Sequence, residues 1–213
     1  VSFSRLILLR HGQTDFNRAG RMQGRLDTEL TALGRRQAAD AAGLLRGRGI
    51  ARVVSSDLSR AADTAAAVAD GLDLGVSFDA RFRETALGEW QGKARDEVDE
   101  AYPGQRARWR LDPGFAPPGG ESRLDVAARA RAGLEEALLL PPEREGETLL
   151  VVAHGGVISA LTASLLDAPT DSYPWFVGLN NCHWAQLGTR AALGAGSRWF
   201  LEAWNAGDET PGE

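Results

Sequence analysis

The residues best able to do chemistry sit where two apolar runs stop. Leu6 to Leu9 ends on Arg10-His11-Gly12, and Thr148 to Ala153 ends on His154-Gly155-Gly156. The carboxyl end of a buried strand is where an open α/β sheet puts its ligand. Arg60 falls just after a third short run, Val53-Val54-Ser55, on the first turn of the helix that follows. If the three runs are neighbouring parallel strands, Arg10, Arg60, His11 and His154 converge on one rim. These cationic side chains, with the free amides of the helix after His154, make a site for a dianion, and Gly155 lets the backbone approach it closely. Phosphate is the leading candidate, since guanidinium forks match tetrahedral oxyanions.

Such a site becomes catalytic if one group is a nucleophile and another handles the proton of the leaving group. His11 can attack phosphorus through a ring nitrogen only while neutral, and neighbouring arginines favour that form. An alkoxide leaves poorly, so an acid is needed, and Glu84 in RFRETALGEWQG is the candidate. Like charge from a bound phosphate favours a protonated carboxyl. The His11/His154 pair could suggest zinc. The chain has no further His/Cys block, however, and two arginines oppose a cation, so neither a metal nor a cofactor is expected. No G-x-G-x-x-G follows the first run, which argues against a dinucleotide site.

The elements that must position these groups follow from pattern. Both long runs are apolar without alternation, as strands covered on both faces should be. Thr31 caps a helix reaching about Gly47, and Asp57 or Ser59 caps a second helix with a stripe at Leu58, Ala61, Ala62, Ala65 and Ala69. A short edge strand is expected at Val76 to Phe78. From Gly88 to Gly120 the periodicity fails, and four prolines with Trp90 and Trp109 mark a lid-like excursion of short helix and loop. Ser122 with Asp125 opens a helix to about Leu140, and Val157 to Leu166 reads as a buried helix. Two last strands are expected at His183 to Leu187 and Arg198 to Asn205. Alternating strand and helix predicts a three-layer α/β/α sandwich with a mostly parallel sheet.

Composition narrows the classes further. With 213 residues and 43% hydrophobic content, one domain over residues 1–205 is expected, followed by a flexible acidic tail at 206–213. The formal charge is −5 and Lys93 is the only lysine, so no basic patch points to a nucleic-acid partner. The lone Cys182 reads as a small buried hydrophobe and fits a reducing cytoplasm. No apolar run reaches membrane-spanning length and nothing resembles a cleavable signal, so a cytoplasmic protein with no membrane partner is expected. His183 falls outside every motif and reads as structural.

Beyond these readings, Arg10-His11-Gly12-Gln13-x-x-x-Asn17 resembles the signature of the histidine phosphatase, or phosphoglycerate mutase-like, superfamily. The resemblance extends through Asp27-x-x-Leu30-Thr31-x-x-Gly34, Ser55-Ser56-Asp57-Leu58-x-Arg60, Arg83-Glu84, Gly119-Gly120-Glu121-Ser122 and Val152-x-His154-Gly155-Gly156. It implies that His11 is the phosphorylated nucleophile. It further implies that Arg10, Arg60, His154 and Asn17 are phosphate ligands, and that Glu84 is the proton donor. Arg21-Met22-Gln23-Gly24 and the short stretch from Glu84 to Glu121 resemble the phosphatase branch, with the Gln23 amide holding a phosphate oxygen or water. A small phosphorylated metabolite is the expected partner, and relatives commonly form homodimers. The alternatives are a broad-specificity acid phosphatase, a cofactor-dependent phosphoglycerate mutase and a non-catalytic phospho-ligand module. For the leaving group, Arg21, Arg25, Trp90, Glu121 and Arg123 are candidates by proximity. Trp109 and Arg110 are equally placed, although the run from Arg106 to Arg110 reads mainly as a solvated face. Glu121 could instead simply favour the positive end of its helix.

Overall fold

A computed structural model of the chain describes residues 3–142, 147–191 and 197–207. Its six strands are β1 (Arg5–Arg10), β2 (Ile50–Ser55), β3 (Val76–Phe78), β4 (Thr148–Ala153), β5 (Trp184–Ala191) and β6 (Ser197–Ala206). They form one sheet in the order β3-β2-β4-β1-β5-β6. The first four in that order are parallel, and β5 and β6 add an antiparallel hairpin at one edge.

The unbroken apolar runs of β1 and β4 follow from their central place. Ile7 and Leu9 face one side, packing with Leu150 and Val152 against helices α2 (Ala32–Leu45) and α3 (Ser59–Asp70). Leu6 and Leu8 face the other, packing with Leu149 and Val151 against α6 (Arg123–Leu139) and α7 (Gly155–Leu165). Strand period 2 thus splits one sequence run between two cores, giving the three layers expected. Each of these leucines is fully buried, and truncating one to alanine would cost about 2–5 kcal/mol.

Register places the chemistry. Arg10 pairs with Ala153 across β1 and β4, so His11 and His154 leave the sheet side by side. Ser55 of β2 pairs with Val152, which brings Ser56 to the same rim. The turn after β1 lies directly on the first turn of α2. A Cβ on Gly12 would sit 2.4 Å from the Gly34 carbonyl oxygen, and one on Gly34 would sit 2.2 Å from that of Gln13. Both positions therefore have to be glycine.

Four local details differ from the sequence expectation. A one-turn helix α1 (Asp15–Arg18), with a reciprocal Thr14/Asn17 capping box, follows the His11 turn. Neither Asp57 nor Ser59 caps α3: the Asp27 carboxylate takes the Ser59 amide at 2.9 Å and its hydroxyl at 2.7 Å, while Asp57 pairs with Arg83. The excursion holds two short helices, α4 (Arg95–Ala101) and α5 (Gln105–Leu111), around a satellite core of Leu87, Trp90 and Val98. At the far end β6 runs to Ala206, one residue past the boundary drawn from composition; of the expected tail, residues 208–213 lie outside the described residues.

Candidate active site

His11 sits at the end of β1 and is 3% exposed. Its Nδ1 lies 2.7 Å from the Gly12 carbonyl oxygen, an acceptor, so Nδ1 carries the proton and Nε2 keeps the lone pair. Burial, then the charges of Arg10 and Arg60, hold His11 well below the usual imidazole range. His11 is therefore neutral, with its unprotonated nitrogen fixed. Two further bonds lock the turn: the Gly12 amide donates to Thr64 Oγ1 at 3.1 Å, and Asn181 Nδ2 donates to the His11 carbonyl at 3.0 Å.

Arg60, on the first turn of α3, joins the two imidazoles. Its Nε lies 3.3 Å from His11 Nε2 and 3.2 Å from His154 Nδ1. Its terminal nitrogens donate to the carbonyls of Leu26 and Gly24, each at 2.8 Å, which leaves each terminal nitrogen a second hydrogen for a ligand. Burial brings Arg60 down to about 10, so it stays charged at neutral pH. The imidazole ring centroids are 5.1 Å apart. His154 Nε2 lies 2.9 Å from Ser56 Oγ, and burial followed by Arg60 holds this ring neutral too.

Glu84 reaches the site from the loop before the excursion. One oxygen accepts the Gly156 amide at 3.0 Å and the other the Thr85 amide at 2.7 Å, so the carboxyl rests on the positive end of α7. The glycine that this contact demands is Gly156. A Cβ on Gly156 would lie 2.5 Å from Glu84 Oε1, whereas one on Gly155 would meet Arg10 only at an ordinary 3.7 Å.

These groups form the floor of a cavity of about 370 Å³. Arg10, His11, Arg60, Glu84 and Gly155 line its base, with Asn17 and Gln23 beside them. Arg10 is anchored by donation to the Leu179 carbonyl, while its buried Nε has no partner among the described residues. Asn17 Oδ1 is occupied by Thr14 and Asn181, at 3.1 Å each, so its amide nitrogen is the end free for a ligand. Gln23 is held through its oxygen by Thr14 and through its nitrogen by Thr28. His154 does not line the cavity; it is fully buried beneath it and acts on the floor through Arg60.

The outer wall is basic. Arg21, Arg95, Arg106, Arg110 and Arg123 line it together with Trp109. Arg21 and Arg106 are paired with Glu97 and Asp99. Arg123 lies over the Trp109 ring at 5.0 Å and donates to the Arg110 carbonyl at 3.0 Å. Burial and then the Arg110 charge lower the Arg123 pKa. Arg106 and Arg110 are thus not merely a solvated face: spaced i, i+4 on α5, they share the side that faces the cavity, and that spacing beside Trp109 was the available signal. Three proximity candidates are placed elsewhere. Trp90 is 0% exposed in the satellite core, and neither Arg25 nor Glu121 lines the cavity. Glu121 is engaged instead with Arg25, Arg129 and the Ala86 amide. Burial opposes its charge, but hydrogen bonds from Arg129 and Ala86 hold it below the usual carboxylate range.

Among the described residues no group of three or more His, Cys, Asp or Glu could hold a metal ion, and no helix is long and apolar enough to cross a membrane. Cys182 is buried and its thiol is pushed up to about 12 by burial.

Comparison with known proteins fits this geometry. Residues 6–206 match the model of the histidine phosphatase superfamily, branch 1. Over 210 residues the chain is 48% identical to a glucosyl-3-phosphoglycerate phosphatase of Mycobacterium tuberculosis, covering 95% of this chain and 94% of the relative. A solved mycobacterial glucosyl-3-phosphoglycerate phosphatase in complex with VO3 superposes with a TM-score of 0.89 at 47% identity, covering 95% of this chain and 99% of that one. The complex of such an enzyme with inorganic phosphate gives 0.88 at 46% identity, covering 96% and 98%.

Proposed function

Because the chain belongs to the histidine phosphatase superfamily, branch 1, we propose that it hydrolyses phosphomonoesters through a phosphohistidine formed on His11, with glucosyl-3-phosphoglycerate as substrate and glucosylglycerate and inorganic phosphate as products. The observation that carries this reading is the placement of His11, its Nδ1 held on the Gly12 carbonyl and its Nε2 beside Arg60 at the floor of a cavity walled by arginine.

In the first step His11 Nε2 attacks phosphorus while the bond to the ester oxygen breaks. Arg10, Arg60 and the free amide of Asn17 hold the equatorial oxygens, where charge concentrates. Glu84, entering as the acid, gives its proton to the departing oxygen, and the alcohol leaves neutral. In the second step the Glu84 carboxylate takes a proton from water, which attacks the phosphohistidine. The N–P bond breaks, phosphate departs and His11 is neutral again. His154 keeps Arg60 aimed at the reacting group, and Ser56 fixes the His154 ring.

Two features support the choice of substrate. A curated relative at 48% identity and a solved one at 47% carry that name, and the outer wall presents Arg110 and Arg123 side by side, suited to the carboxylate of a glycerate leaving group. As part of the same proposal the enzyme is a cytoplasmic protein with one catalytic domain per chain, and it pairs as a homodimer, as the family resemblance implies. Light scattering returning a single-chain mass would remove the dimer. The activity is tested by phosphate release, with EDTA present, from glucosyl-3-phosphoglycerate, 3-phosphoglycerate and nitrophenyl phosphate. The sugar ester should be the best substrate. Isomerised ester without free phosphate would mean a mutase, and turnover of none would leave a binding module.

A further inference from the structure

The loop that carries Glu84 has little backbone pairing of its own, and the side chains that hold it form one connected group. Arg25 Nε and Arg129 NH2 both donate to the Glu84 carbonyl oxygen, at 3.2 and 3.1 Å. Arg129 also donates through NH1 to the Arg81 carbonyl at 2.5 Å. Two guanidinium groups meeting at one carbonyl repel each other unless an anion lies between them. Glu121 is that anion: its Oε1 takes Arg25 at 2.8 Å and Arg129 Nε at 3.1 Å, and its Oε2 takes Arg129 NH2 at 3.0 Å. Glu121 also grips the loop directly. Its backbone amide donates to the Ala86 carbonyl at 2.8 Å, and its Oε2 accepts the Ala86 amide at 3.0 Å.

From this arrangement we infer that Glu121, with Arg25 and Arg129, is a positioning residue for the proton donor: it fixes the backbone on either side of Glu84, and so the distance of the carboxyl from the leaving oxygen. The inference rests on the phosphatase reading and assigns Glu121 no contact with substrate. The group is only partly exposed, with side chains at 22% for Glu121 and 17% for Arg129, so water cannot readily take the place of the lost anion. It also ties the acid to the segment whose Gly24 carbonyl orients Arg60, so acid and phosphate ligand are set by one frame.

The test is Glu121→Gln, which keeps an acceptor for Ala86 but removes the charge. A displaced acid should lower kcat/KM for the sugar ester by about 10- to 100-fold. For nitrophenyl phosphate, whose leaving group needs no proton, the loss should stay within about 3-fold. In a Glu84→Gln background the same substitution should cost nothing further with the sugar ester, because the acid it positions is already gone. Arg129→Lys, which keeps the charge but not the fork, should repeat the selective loss and guards against a Glu121 variant that folds poorly. Equal losses on both esters, or full additivity with Glu84→Gln, would overturn the positioning role. The phosphatase reading fails separately, if the unmodified enzyme turns over no ester.

Discussion

A single methyl group placed at Gly156 should separate the acid step from the rest of the reaction. The Cβ of Gly156→Ala would lie 2.5 Å from Glu84 Oε1 and 2.8 Å from Thr85 Oγ1, where ordinary contact begins at 3.4 Å. The carboxyl must therefore retreat by roughly 1 Å, a displacement of the size that can cost about 100-fold in rate when it falls on a catalytic group. The 3.0 Å bond from the Gly156 amide is stretched in the same movement. Folding should not suffer, because alanine is better than glycine in a helix by up to about 1 kcal/mol and both obstacles are side-chain ends rather than backbone. The assay is kcat/KM for glucosyl-3-phosphoglycerate and for nitrophenyl phosphate, alongside a thermal melt. The expected result is a loss of about 100-fold with the sugar ester, no more than about 5-fold with the aryl ester, and an unchanged or raised Tm. Wild-type kcat/KM with the sugar ester would refute the claim that the edge of α7 sets the position of the acid.

Other consequences follow from the same site. His11→Ala should abolish turnover of every ester while circular dichroism shows the fold intact; residual activity above background would exclude His11 as nucleophile. His11 and His154 are both held neutral, with pKa values well below 6.5, so kcat/KM should show no loss on an imidazole titration near pH 6.5. Stability runs with the opposite cost: below about pH 6.5 the unfolded chain binds protons that the folded one refuses, so stability is full above that pH and falls beneath it, by up to about 2.7 kcal/mol per pH unit for two such groups. Urea unfolding at pH 7.5 and 5.5 measures this, and equal midpoints would contradict it. Arg110→Ala or Arg123→Ala should lower kcat/KM for the sugar ester by about 10-fold or more, the loss of one charge-assisted hydrogen bond, and leave nitrophenyl phosphate almost unaffected. Equal effects on both would detach the outer wall from leaving-group recognition.

The contrast between floor and wall shows what a sequence makes legible. The floor is read from local pattern: apolar runs covered on both faces stop at histidine and glycine, and parallel register then brings His11, His154 and Arg60 together. Glu84 is legible as an acid, but not the seat it takes on α7, because the Gly156 contact joins residues far apart in the chain. Long-range partners also explain the local misses. Asp27 caps α3 from 32 residues away, and Glu121 turns from the cavity because Arg25 reaches it from 96 residues away. On α5, Arg108 pairs with Asp112, while Arg106 and Arg110 face the cavity; a run of arginines alone does not show that division.

The central claim concerns one nitrogen, and it is tested by trapping the enzyme during turnover of phosphate-labelled substrate with a quench in base. The account predicts label on His11 that survives alkali, is lost in acid and is absent from His11→Ala. Label on another side chain, or steady turnover with no labelled protein under conditions where hydrolysis of the intermediate is rate-limiting, would contradict it.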